Sequence, residues 1–193
     1  MYVLIFALVA VALAAMAFIS NAKTESSQMA MAQLSNQSRV VAEQGAEVFF
    51  ACAGESVGTY TESDLIAANK LPAGYPQTTP YGNAWVCKVA SGGVGGGNVV
   101  LVTWDGAPQS AGAFGVGALS GSALQTQVAW TVASLLVQQI ESATDADVGV
   151  VQPGSTTLVS DQTELQYTLT GLLSAPSYAT PVIEKGLASN SSS

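Results

Sequence analysis

Four kinds of side chain in this 193-residue chain have the types needed for chemistry: grouped acids, serines with a lysine, a glycine-rich run and a pair of cysteines. Asp145 and Asp147, followed by Asp161 and Glu164, are the acids close enough in sequence for cation binding or acid–base work. Asp145-Ala146-Asp147 starts like a calcium loop but departs from that pattern at Val148-Gly149. These acids read instead as solvated ends of elements. A serine nucleophile needs a base, and the chain has no histidine, which excludes the usual triad. The same absence removes the commonest metal ligand and the commonest general base at neutral pH. Lys70, Lys88 and Lys185 stand near no recognisable serine motif for a Ser–Lys pair. Five glycines fall in the seven positions from Ser91 to Gly97. A phosphate loop would continue into Lys and Ser or Thr at a helix start. This run continues into Asn98-Val99-Val100-Leu101, a strand pattern, so it reads as a hairpin tip. No catalytic residue, cofactor site or metal set is assigned, and the chain reads as a protein other than an enzyme.

Cys52 and Cys87 are the only cysteines and form no C-x-x-C motif. Bridged, they would add about 3–4 kcal/mol by closing the intervening loop, and would place residues 23–193 in an oxidising compartment. The alternative is two unpaired thiols buried as small apolar groups. Trp85, Trp104 and Trp130, with Tyr75 and Tyr81, read as core, with a partner-lining role as the alternative. Charge narrows the partner classes. Only 9% of residues are charged, 5 basic against 13 acidic, for a net charge of −8. Nothing there could neutralise a row of phosphates, so no nucleic-acid partner is expected.

The elements that must position these groups begin with residues 1–22, which carry no side chain charged at neutral pH. The apolar stretch Tyr2–Ile19 has the length of a bilayer-spanning helix. The rival readings are a signal peptide cleaved before Phe18, after Ala15-Met16-Ala17, and a buried core helix. Against the signal, no basic segment precedes the apolar run. Lys23 is the only base close behind the span and sets its orientation weakly. Residues 23–50 form an amphipathic helix or stalk, with Ala30, Leu34, Val41 and Val48 on one stripe. Continuous with the span, the two would make a rod of about 75 Å.

Residues 51–187 are expected to fold as one domain, and 188–193 are too small and polar to pack. A short helix over 63–70 is capped by Ser63 and stopped by Pro72. Alternation places Trp85, Cys87 and Val89 on one side of a strand over 84–90, and 98–104 forms a second strand. Residues 105–122 show no period. Leu124, Val128, Val132, Leu135, Leu136 and Ile140 mark a long helix over 122–143. Short strands follow at 147–151 and 156–160, around Pro153-Gly154, and at 164–170, where Leu165, Tyr167 and Leu169 alternate. Pro176 and Pro181 break the pattern over 174–181. The fold class is α+β: an N-terminal transmembrane or long helix, then a small antiparallel sheet packed with one long amphipathic helix.

These features converge. The charge-free span and amphipathic helix lead to Leu71-Pro72-Ala73-Gly74-Tyr75, then Pro80-Tyr81-Gly82-Asn83-Ala84-Trp85, then a glycine-tipped hairpin. The ensemble resembles small envelope proteins encoded with thin, type IVb conjugative pili, most closely the PilM-type inner-membrane-anchored biogenesis proteins. These are unrelated to the cytoplasmic actin-like ATPase that shares the name in type IVa systems. Asp147-Val148-Gly149-Val150, Leu158-Val159-Ser160 and Pro181–Gly186 are similar to that family's second half and C-terminal end. The resemblance implies a structural component of pilus assembly, single-pass in the bacterial inner membrane, with its domain in the periplasm. The implied partners are other pilus assembly proteins, pilin subunits and further copies of the chain. Pilin-like filament or tip subunits are also similar through the 71–85 region. Mature pilins generally carry Glu at their fifth position, where this chain has Ile5.

Overall fold

The computed structural model describes residues 32–92, 97–108, 122–140, 144–160, 166–169 and 171–186. The expected membrane span at 1–22, the first part of the expected stalk (Ala30 included), the glycines from Gly93 to Gly96 and the tail at 188–193 lie outside these residues. So does the greater part of 105–122. Among the described residues no helix is long and apolar enough to cross a membrane.

Helix α1 is described from 32 to 52 and buries Leu34, Ser38, Val41, Ala42, Val48, Phe49 and Cys52. The three-and-four spacing of those residues puts them on one face of a 3.6-residue helix. Strand β1 (Gly58–Thr61) follows, and helix α2 (Glu62–Ala67) opens directly from it. The cap of α2 is Thr61 rather than the expected Ser63. Asp64, three residues on, makes a reciprocal box with it: Asp64 N–H donates to Thr61 Oγ1 and Thr61 N–H to Asp64 Oδ2, at 3.3 and 2.8 Å. The helix also ends before Pro72 acts. Asn69 takes φ 57°, and Lys70 N–H reaches back to the Leu65 carbonyl, closing a left-handed cap that Asn tolerates.

Strands β2 (Ala84–Ser91) and β3 (Asn98–Asp105) form the expected hairpin, paired from Ala84↔Asp105 to Ser91↔Asn98. Helix α3 (Ser122–Ile140) buries Val128, Val132, Leu136 and Ile140; the last three residues of the expected helix, 141–143, lie outside the described residues. Strands β4 (Asp147–Val151), β5 (Thr157–Val159), β6 (Gln166–Thr168) and β7 (Thr180–Lys185) complete the chain. Among the described residues the seven strands form one antiparallel sheet in the order β1-β2-β3-β7-β4-β5-β6.

The α+β class holds, but the sheet is larger than expected and two helices, α1 and α3, share one of its faces. Strand β7, at the centre, contradicts the reading of Pro181 as a breaker. Pro181 lies one residue beyond the ladder with β3, which ends at Thr103↔Val182. There the Trp104 N–H is met by Thr180 Oγ1 at 3.3 Å instead of by a β7 carbonyl. A proline without an amide hydrogen is tolerated at such a strand start.

Alternate residues of each central strand divide between two cores. Val102, Val150 and Ile183 join Trp85, Cys87 and Trp104 beneath α1 and α3. Leu101, Val151 and Val182 join Leu158 and Leu169 on the opposite face, where Leu172 and Leu173 cover them. Burial on both faces accounts for the nearly continuous apolar run of β3.

Candidate functional site

Among the described residues, a dense set of long-range polar contacts lies where α1 crosses β2. Cys52 sits in the last turn of α1 and Cys87 in the middle of β2; both are buried, and they are joined in a disulfide with Cα atoms 6.5 Å apart. The bridged reading of these two residues is the one the structure shows.

Upstream of the bridge, three aromatic side chains donate to backbone carbonyls of α1. Tyr81 Oη reaches the Leu34 carbonyl at 3.3 Å and bonds Ser38 Oγ at 2.7 Å. Trp85 Nε1 donates to the Val41 carbonyl at 3.1 Å, and Tyr75 Oη to the Gln44 carbonyl at 3.0 Å. Residues 34, 41 and 44 share one helix face, so the donors line up along α1. Burial without water requires such partners for the polar tips of Tyr and Trp. Burial and the nearby charges of Glu47 and Glu62 push the Tyr75 phenol up, so it stays a donor at neutral pH.

Two turns deliver these donors. Tyr75 N–H closes back onto the Pro72 carbonyl at 2.9 Å. Around Tyr81, Thr79 Oγ1 donates to Asn83 Oδ1, Tyr81 N–H donates to Thr79 Oγ1 at 3.1 Å, and Gly82 adopts φ 77°. The Leu71–Tyr75 and Pro80–Trp85 motifs thus present the clamp. Gly45 completes the contact: a Cβ there would meet the Trp85 ring at 2.6 Å, so glycine lets the helix settle onto the indole.

Glu62 lies beneath this junction. It is only 2% exposed; Oε1 accepts the Trp85 N–H at 3.3 Å, and Oε2 has no partner among the described residues. Desolvation raises its carboxyl from 4.5 to about 7, against the lowering pull of the Trp85 N–H. Because the folded value exceeds the unfolded one, its contribution is fully present below about pH 4.5 and lost as pH rises through 7. Stability is expected to fall by on the order of 2 kcal/mol between about pH 5 and pH 8, allowing for relaxation and water penetration. Glu62→Gln should abolish that slope. Urea midpoints at the two pH values check it, and equal slopes in both proteins would exclude Glu62 as the source. The reading of α2 as starting after Ser63 left Glu62 outside the helix; the Thr61-x-x-Asp64 box was the signal that places it in the first turn.

The described acids and lysines among the other candidates are not gathered into this junction. Asp145 is exposed before β4, and Asp147 opens β4 opposite Glu184 of β7. Asp161 and Glu164 lie outside the described residues. Lys70 pairs with Glu55 at 3.0 Å, Lys88 donates to the Leu172 carbonyl at 2.9 Å, and Lys185 is exposed at the end of β7. Gly92 and Gly97 close the β2–β3 hairpin through one backbone bond of 3.3 Å. Trp85, Trp104, Tyr75 and Tyr81 are buried in the core, as expected, and Trp130 is half-buried at its edge. Among the described residues no group of three or more Cys, Asp or Glu is placed to hold a metal ion.

Compared with protein-family models, curated proteins and solved structures, the chain matches none of them.

Proposed function

We propose that this chain is a membrane-anchored structural component of type IV conjugative pilus assembly, acting through protein–protein contacts. Residues 1–22 serve as its single span in the bacterial inner membrane, and the α+β domain stands in the periplasm. The observation that carries the reading is the buried Cys52–Cys87 bridge at the end of α1. A disulfide persists where the compartment is oxidising. Its position is as informative as its presence: it fastens to the sheet the helix that follows the apolar, charge-free segment. Attachment at the N-terminal end and rigidity at the sheet are what a scaffold needs. The resemblance of the 71–85 motifs to PilM-type proteins supplies the assembly, with pilus proteins, pilin subunits and copies of itself as partners.

The test is fractionation of cells producing the full chain, with thiol labelling and intact-mass measurement. The expected result is recovery with the inner membrane, a mass that retains residues 1–22, and no labelling without reductant. A mature N-terminus at Phe18 would point to a secreted soluble domain. Recovery in sheared pili would favour the pilin-like subunit, and cytosolic protein with free thiols would overturn both anchored readings.

A further inference from the structure

Glu62 does more than occupy a buried position: it connects three elements. It belongs to the first turn of α2, it holds the Trp85 amide at the start of β2, and the Trp85 indole in turn holds the Val41 carbonyl of α1 and lies against Gly45. One carboxyl oxygen has a single N–H donor, and the other has no partner among the described residues. Such a site suits a neutral acid. A carboxylate there would lack the two or three donors that a buried charge requires.

We propose that the Glu62 carboxyl is a proton-operated latch: neutral, it seats Trp85 and with it α1 on the sheet; ionised, it releases α1 over residues 34–49 while the disulfide keeps the helix tethered at Cys52. The groups around it reinforce that direction. From the turn, Tyr75 lies within reach of the Glu62 charge and also feels Glu47 of α1. On α2 itself, Asp64 is held as a carboxylate by the Thr61 amide and hydroxyl. From β2 the contact is the Trp85 amide, and Lys88 is engaged with Gly171 and Leu172 on the far face. Tyr75, Glu47 and Asp64 are acids, and of the cations Lys88 is engaged on the far face and Lys70, beyond α2, pairs with Glu55 at 3.0 Å, so neither offsets a second negative charge. The latch is independent of the pilus reading, since it concerns only how this helix is held.

Hydrogen–deuterium exchange of the full chain in detergent micelles, corrected for intrinsic rates, tests it. In the wild-type protein, α1 peptides over 34–49 should exchange about tenfold faster at pH 8 than at pH 6, with α3 peptides unchanged. The midpoint should fall near the value of about 7 set by burial of Glu62. In Glu62→Gln the α1 rates should be equal at the two pH values, and Asp64→Asn should keep the wild-type response. An α1 rate independent of pH, equal loosening of α1 and α3, or a persisting response in Glu62→Gln would each overturn the latch. Should Glu62→Gln fail to fold, the contrast between α1 and α3 in the wild-type chain still decides.

Discussion

Replacing Cys52 and Cys87 together by alanine is expected to lower the stability of the domain by about 3–4 kcal/mol. The bridge spans a sequence separation of 35, and closing a loop of that length removes this much conformational freedom from the unfolded chain. Both residues are fully buried, so a thiol or methyl in place of the bridge leaves the same neighbours with fewer contacts. The loss should concentrate at the α1–β2 junction, because β1, α2 and both aromatic turns lie inside the loop. Urea unfolding followed by tryptophan fluorescence, oxidised, reduced and double-alanine, gives the comparison. The reduced and double-alanine proteins should unfold at similar, lower midpoints; a loss under about 1 kcal/mol would show that the clamp alone holds the helix.

Gly149→Ala is expected to cost about 3 kcal/mol or more. Gly149 lies on β4 where the backbone of the β5 end passes close. A Cβ there would sit inside contact distance of the Val159 carbonyl oxygen, 2.8 Å from its carbon and 3.1 Å from Ser160 Cα. All three are main-chain atoms fixed by the β4–β5 hairpin, so no side chain can rotate away. The clash must move the strand itself, unlike an overpacked core where rotamers share the strain. Gly154→Ala in the neighbouring turn is a suitable contrast: it has open space but φ 74°, and should cost about 1 kcal/mol. Thermal unfolding of the two variants ranks them, and a Gly149→Ala protein as stable as the Gly154→Ala one would refute the crowding.

Much of this fold was legible where a period ran for several turns. The stripe Val128, Val132, Leu136 and Ile140 gave α3, and the alternation Trp85, Cys87, Val89 gave the inward face of β2. Strand β1 escaped because four residues, Gly58–Thr61, are too few to show alternation. Strand β7 escaped because Pro181 reads as a breaker unless one knows that its ladder with β3 has already ended. At the junction, the cysteine pair was readable from count and spacing. Glu62 was not, because its burial follows from how α1, α2 and β2 meet, and no local pattern encodes that meeting.

The aromatic clamp takes hold of α1 through carbonyl oxygens at Leu34, Val41 and Gln44, atoms that every amino acid supplies. Evolution is therefore free to rewrite those three helix positions within the limits of packing. The constraint falls instead on the grasping residues Tyr75, Tyr81 and Trp85, and on the small residue at Gly45. Distant kin of this chain should keep that handful of letters while the helix between them drifts beyond recognition.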